Sequence, residues 1–222
     1  MSKIISVNEK ISSFKKIITV PGDKSLSIRW VLFASLAKGT SKAKNLLMSE
    51  DVIAAIEAVR RLGVKVVIKK KECKIFGKGI NGYKYKKNLI IDAQNSGTLG
   101  RLILGLLVNS PVPIKLVGDK SLSKRDFKRV SSPLSKFGAK FKLKNSNFLP
   151  LKIYGSSNLK PIKYNENKGS AQCKSSIIFA AMRTNGITTI KAKKSRNHTE
   201  LLCRYLKLPI SIKSSKSFDE IK

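Results

Sequence analysis

A single histidine (His198), a single tryptophan, three cysteines and only 13 carboxylates against 46 basic residues leave several chemistries without material in this chain of 222 residues. With one histidine, neither a histidine-built metal site nor a Ser–His–Asp triad has support. Cys73, Cys173 and Cys203 are widely spaced, odd in number and free of any Cys-x-x-Cys pattern. They read as buried or incidental thiols of a reducing cytoplasm, and no metal is expected. Met1–Lys16 is polar and mixed, with no apolar stretch of signal-peptide type. The longest strongly apolar run, Leu102–Val108, falls far short of the roughly 20 residues that a bilayer span needs. No membrane partner is expected. What is present, 41% hydrophobic and 27% charged residues, fits a globular chain with a real core, in one large or two small domains.

The net charge of +33 is extreme. Taken alone it points to nucleic acid or another polyanion, and a basic nucleic-acid-binding module is one alternative reading. Its texture points elsewhere. Only nine of the 46 basic residues are arginine, and the lysines are spread over nearly every loop and strand edge. No basic arm stands out, and few aromatics are interleaved for base stacking. Most of the charge reads as a solvated surface shaped by composition, with no specific nucleic-acid partner. The arginines are the first place to look for function.

One segment concentrates donors. Pro21-Gly22-Asp23 makes a turn that delivers Lys24 and Ser25 to the start of an apolar helix over Leu26–Ala37. The first N–H groups of a helix lack intrahelical partners, and the macrodipole adds positive potential there. Arg29 follows Ser25 by four residues, on roughly the same side. Lys24, Ser25 and Arg29 can thus form a phosphate or carboxylate site. The glycine spacing of a Walker loop is absent. The bland alternative is a capped surface helix with incidental charges.

The same arrangement returns twice. Ser96-Gly97-Thr98 precedes Leu99–Val108 and Ser170-Ala171-Gln172 precedes Cys173–Met182, so that Lys24, Gly97 and Ser170 stand 73 residues apart. Each first helix is followed by a strand candidate (Thr40–Leu46, Pro113–Val117, Ile187–Ala192) and a second helix (Glu50–Leu62, Arg125–Phe137, Asn197–Leu206). Gly63 and Gly138 are placed to cap the first two of these. Further strands are expected at Val64–Lys69, Lys74–Phe76, Lys140–Leu143, Leu151–Tyr154 and Ile210–Ile212. The fold class is therefore α/β: three β-α-β-α-β-β units, at about 21–80, 81–155 and 156–222. If they pack about a pseudo-threefold axis, their first-helix N-termini converge on one anion-binding surface. After Ile212 no convincing final strand pair follows, so the third unit is expected to be incomplete.

Five segments together resemble the 5-enolpyruvylshikimate-3-phosphate synthase family of the shikimate pathway. They are Pro21-Gly-Asp-Lys-Ser-Leu-Ser-Ile-Arg29, Asn95-Ser-Gly-Thr-Leu-Gly-Arg101, Gly118-Asp-Lys-Ser-Leu-Ser-Lys-Arg125, Ser170-Ala-Gln172 and Ser195-Arg-Asn-His-Thr-Glu200. The resemblance implies two similar domains of three such units each, the inside-out α/β barrel of enolpyruvyl transferases. Residues 21–222 would form the first domain, and Ile4–Val7 and Ile17–Val20 would be strands of the other. It implies a monomeric cytoplasmic enzyme of aromatic amino acid biosynthesis. Such an enzyme moves the enolpyruvyl group of phosphoenolpyruvate to the 5-hydroxyl of shikimate 3-phosphate, with no metal or organic cofactor.

By motif, Lys24, Ser25, Arg29, Ser170, Ala171, Gln172 and Arg196 resemble the family's shikimate 3-phosphate binders, Arg29 for the carboxylate. Lys24, Gly97, Arg125 and Gln172 resemble its phosphoenolpyruvate binders. Gly97 implies sensitivity to glyphosate in an intact enzyme. Asn95 and Arg101 can equally serve the turn and the helix face, and His198 a helix start. Two positions depart from the family pattern: Ile28 stands for a polar residue, and Asp126 for the proline after Arg125. The resemblance covers about the first half of the family's sequence. The carboxylates proposed as general acid and base lie in the other half, so no catalytic residue is expected here and the chain alone is expected to be inactive. The nearest rival, the enolpyruvyl transferase acting on UDP-N-acetylglucosamine, has Lys-Asn where this chain has Lys24-Ser25, and a reactive cysteine in a glycine-rich loop.

Overall fold

The computed structural model describes residues 6, 8–10, 13, 15, 17–69 and 72–222. The first unit comprises α1 (Lys24–Leu36), β1 (Lys38–Lys44), α2 (Glu50–Arg61), β2 (Lys65–Lys69) and β3 (Glu72–Lys78). The second comprises β4 (Ile90–Asp92), α3 (Gly97–Leu106), β5 (Ile114–Val117), a 3₁₀ turn at Leu122–Lys124, α4 (Lys128–Ser135), β6 (Lys140–Lys144) and β7 (Phe148–Tyr154). The third comprises β8 (Lys163–Glu166), α5 (Ala171–Ala181), β9 (Thr189–Lys193), α6 (His198–Tyr205), β10 (Ile212–Ser214) and β11 (Phe218–Ile221).

Each unit builds its own sheet, and the strand orders are the same. They run β4-β5-β7-β6 in the second unit, β8-β9-β11-β10 in the third and β1-β3-β2 in the first. In every case the last strand lies between the two before it. The opening pairs β4–β5 and β8–β9 are parallel, and the other pairings are antiparallel. Repeated order, including this permutation, is stronger support for a threefold unit than spacing alone.

Helices α1, α3 and α5 are apolar on nearly every side, and the structure buries them accordingly. A helix without a polar face has to lie inside. The sheets lie outside: in β7, Leu149, Leu151 and Ile153 point inward and alternate with exposed Lys152 and Tyr154. Each such inward side chain contributes about 1.5–3 kcal/mol by leaving water. Outward lysines line up across strands, Lys115 and Lys142 both opposite Lys152, which is how a chain of this charge keeps its core apolar. Helix packing is close enough to constrain composition. A Cβ on Gly105 of α3 would lie 2.2 Å from the Ser176 carbonyl oxygen of α5. Phe179, whose Cβ would lie 3.0 Å from the same added Cβ, meets the Phe33 ring at 4.7 Å between centroids.

Two expectations are corrected. The helix expected over Arg125–Phe137 begins only at Lys128, because the Asp126 carboxylate accepts from the Lys128 N–H at 2.7 Å and starts the helix there. Arg125 is left in extended backbone. Pro133 inside this helix offers no N–H, and the Arg129 carbonyl that it leaves free accepts from the Cys173 thiol at 3.3 Å. The third unit does have a final strand pair: β10 and β11 form a hairpin. Its turn has no Gly, Pro or Asn to mark it, and is closed by Ser215, whose N–H donates to Phe218 O and whose Oγ accepts from Phe218 N. The gap in the architecture lies in the first unit, which lacks an opening strand among the described residues. There Ile17–Val20 is irregular, with Ile17, Ile18 and Val20 exposed. The other expected strand, Ile4–Val7, falls outside the described residues.

Candidate functional site

The three central helices start with one device. Asp23, Ser96 and Ser170 are their N-caps, and the side chains accept from Leu26 N (2.7 Å), Leu99 N (3.3 Å) and Cys173 N (3.2 Å). One first-turn donor is thereby satisfied in each helix and the others stay free. No acidic residue lies in the first turn of any of the three, but the Asp23 carboxylate caps α1 and the Glu166 carboxylate accepts from the Ser170 N–H at 2.9 Å before α5, so α3 alone has no carboxylate bonded at its cap among the described residues. Side chains tie these ends together. Arg101 of α3 donates from Nη1 to Gln172 Oε1 of α5 at 2.7 Å, and Gln172 Nε2 donates back to Thr98 Oγ1 at 3.1 Å.

Around α3, Gly97 marks a cationic corner. A Cβ there would lie 3.0 Å from Arg101 Nη1 and 3.3 Å from Arg125 Nη1. Arg101 is buried, with its guanidinium over the Phe127 ring and bonded to the Asp126 carbonyl. Burial, with Arg129 and Arg125 nearby, lowers its pKa to about 10. Its Nε has no partner among the described residues. Arg125 is exposed and holds, among the described residues, two long hydrogen bonds of 3.5 Å each, to Asn95 Oδ1 and Ser121 Oγ. Such a guanidinium is free to take a bidentate anion. Asp126 does not compete: its carboxylate faces the start of α4.

Around α1, Arg29 is 2% exposed. Its Nη1 donates to Ser25 O (3.0 Å) and Ser25 Oγ (2.7 Å), Nε to Thr199 Oγ1 (2.7 Å) and Nη2 to Ser175 Oγ (3.1 Å). Burial lowers its pKa to about 10, against the opposing pull of Glu200. Arg196, exposed, lies close enough to act on that charge. Lys24 pairs with Asp51 at 3.3 Å on the surface. Beneath the site Lys174 Nζ and Glu200 Oε1 are 2.6 Å apart and almost fully buried. Ser195 Oγ and His198 Nδ1, at the start of α6, are buried without a partner among the described residues.

The expected residues thus fall into two linked groups: Gly97, Arg125 and Gln172 around α3, and Ser25 and Arg29 around α1. The first turn of α5, with Ser170 at its cap, touches both groups, since Ser175 Oγ donates to Ala171 O at 2.7 Å. Lys24 stands apart on Asp51. Ile28 is fully buried in the core, so its apolar side chain suits the place that it occupies. Ser175 and Thr199 escaped sequence reasoning; the signal for Ser175 was the polar run Lys174-Ser175-Ser176 inside an otherwise apolar helix. Among the described residues no group of three or more His, Cys, Asp and Glu is placed to hold a metal. No helix there is long and apolar enough to cross a membrane.

Comparison with known proteins agrees with this architecture. The family model of EPSP synthase (3-phosphoshikimate 1-carboxyvinyltransferase) matches residues 8–221. The 3-phosphoshikimate 1-carboxyvinyltransferase of Streptococcus agalactiae serotype Ia is 41% identical over 207 residues, 92% of this chain and 48% of that protein. That of Caldicellulosiruptor bescii is 42% identical over 204 residues, 90% of this chain and 47% of its own. The EPSP synthase structure from Acinetobacter baumannii superposes with a TM-score of 0.84 at 34% identity, covering 92% of this chain and 46% of that one. The chain spans about half the length of the curated relatives it matches. With a family match over nearly its whole length and this threefold architecture, the chain belongs to the EPSP synthase (3-phosphoshikimate 1-carboxyvinyltransferase) family.

Proposed function

We propose that this chain is the shikimate 3-phosphate-binding half of an enzyme that transfers the enolpyruvyl group of phosphoenolpyruvate to the 5-hydroxyl of shikimate 3-phosphate. The 5-hydroxyl oxygen adds to C2 of phosphoenolpyruvate as it gives up its proton and C3 takes one up, and the tetrahedral adduct then expels phosphate as C3 loses a proton. Both substrates are polyanions, so the chemistry depends on preorganised cations and N–H donors. One observation carries the reading: the N-termini of α3 and α5 are joined through Arg101 and Gln172, beside a second guanidinium at Gly97.

In this reading Lys24, Ser25, Arg29, Ser170, Ala171, Gln172 and Arg196 hold shikimate 3-phosphate. Lys24 also reaches phosphoenolpyruvate, which lies against Gly97, Arg125 and Gln172. Lys24 leaves Asp51 when it engages the ligands, and an exposed ion pair of this kind costs little to break. The general acid and base come from the other half of the protein, and a monomeric, cytoplasmic enzyme fits free phosphorylated metabolites as substrates. All three cysteines are buried, which disfavours the reading as a UDP-N-acetylglucosamine enzyme with a reactive loop cysteine. Calorimetry or chemical-shift titration with shikimate 3-phosphate tests the site: weak, saturable binding is expected, and none at millimolar ligand would overturn it. Adding a separately expressed second half of a relative is expected to restore phosphate release.

A further inference from the structure

We infer that Thr199 and Ser175 are positioning residues for Arg29, fixing the donors that it offers at the carboxylate end of the shikimate 3-phosphate site. The inference rests on the binding reading given above. Arg29 lies on α1 of the first unit, Ser175 and Thr199 on α5 and α6 of the third, and all three are at most 2% exposed. The hydrogen bonds between them form a directed relay. Arg29 Nε donates to Thr199 Oγ1, Thr199 donates to Ser175 Oγ at 2.6 Å, and Ser175 donates to the Ala171 carbonyl at 2.7 Å. A hydroxyl has one proton. Thr199 spends its proton on Ser175 and Ser175 spends its own on Ala171, so both oxygens face Arg29 as pure acceptors.

The count of donors then defines what is left for a ligand. A guanidinium has five N–H groups. Nη1 uses two on Ser25, Nε one on Thr199 and Nη2 one on Ser175. A single Nη2–H remains. Ser25 Oγ accepts from Arg29 and donates to no group among the described residues, which leaves its own proton for a ligand. These two donors are the pair offered to a carboxylate, and their placement depends on the two hydroxyls that hold the rest of the guanidinium. The relay ends on Ala171, in the first turn whose cap is Ser170. The relay is thereby anchored on the backbone of α5, and what it fixes is the grip on the carboxylate.

The test compares two ligands on the full chain by chemical-shift titration: shikimate 3-phosphate, and the corresponding 3-phosphate without the ring carboxylate. Thr199→Val keeps the side-chain volume and removes the acceptor. It is expected to weaken shikimate 3-phosphate about tenfold and to leave the decarboxylated ligand within about twofold of the wild-type value. Thr199→Ser is expected to restore the difference. Ser175→Ala is expected to act in the same direction, and provides the reading if Thr199→Val does not fold. Equal weakening of both ligands, or weakening of neither, overturns the positioning role while the binding site stands. A wild-type chain that binds neither ligand overturns the site and this inference together.

Discussion

At the N-terminal ends of α1, α3 and α5, buried polar atoms have no partners among the described residues: Arg101 Nε, and beside α6 Ser195 Oγ and His198 Nδ1. At the C-terminal end of α5 the free space is a cavity of about 370 Å³ lined by apolar groups such as Ile178, Met182, Ile190 and Leu208. Thr184, Thr188 and Lys222 are the polar exceptions in its lining; Arg183, outside the lining, has Nε and Nη2 without partners among the described residues, but its guanidinium lies over Tyr83 and is bonded to the Ile80 carbonyl. The first end gathers guanidiniums and first-turn N–H donors, and the cavity at the second is walled mainly by apolar side chains. An unsatisfied donor costs about 1–3 kcal/mol, so a fold that leaves several together is stabilised by whatever anion completes them. Apolar space asks for no such partner.

Helix α3 carries the contrast within ten residues, since a glycine stands near each end. The largest effect is expected one layer below the open end. Glu200→Ala leaves Lys174 charged and buried without its carboxylate, and should cost about 3–5 kcal/mol. Removing both charges with Lys174→Met and Glu200→Leu should recover most of that loss. Urea midpoints of the three proteins decide it: a single variant within about 1 kcal/mol of wild type would mean that water reaches the pair. Gly105→Ala comes next. Its Cβ would meet the Ser176 carbonyl at 2.2 Å, backbone against backbone, and α3 must move off α5. A loss of about 3 kcal/mol is expected, again read from the urea midpoint.

Sequence spacing captured the two glycines unequally. Gly97 stood out because it begins a repeated turn before an apolar helix, and its position in that repeat holds in the structure. Gly105 carried no local signal, since its neighbour Ser176 is 71 residues away in the chain. The same distinction explains the rest. Apolar periodicity was enough to locate the six helices and most strands, because each depends on its own residues. The β10–β11 hairpin was hidden by a turn of serines and lysine. The start of α4 was hidden by a carboxylate that caps it. Ser175 and Thr199 became visible only through a guanidinium that reaches across 146 and 170 residues. Tertiary hydrogen bonds of this kind leave no period in a sequence.

Gly97→Ala should separate the two ends most clearly. The added methyl would press on Arg101 Nη1 and Arg125 Nη1, which are side-chain tips and not backbone. Alanine also suits a first helical position better than glycine, by up to about 1 kcal/mol in a helix interior. Folding stability should therefore change by less than about 0.5 kcal/mol. In the enzyme reconstituted with its second half, the Michaelis constant for phosphoenolpyruvate should rise, and inhibition by glyphosate should weaken more. A large drop in the urea midpoint for Gly97→Ala would erase the distinction from Gly105.

The smallest expected effect concerns two of the three thiols, one at each end. Cys173 sits in the first turn of α5 and Cys203 lines the apolar cavity. Burial pushes both up to about 12, from an ordinary value near 9. The folded state therefore holds these protons over a pH range in which the unfolded chain has lost them. The sign follows by linkage: their contribution to stability is full below about pH 9 and declines as pH rises toward 12. Lysines also begin to lose charge in that range, so the decline is best read as a difference between wild type and Cys203→Ala. Thiol labelling near neutral pH gives the cleaner measurement. Native chain should label only as it unfolds, and rates should follow urea-induced opening for both cysteines. Rapid labelling of Cys203 in native buffer would show that the cavity at the C-terminal end is open to solvent, and with it the contrast between the two ends would narrow to charge alone.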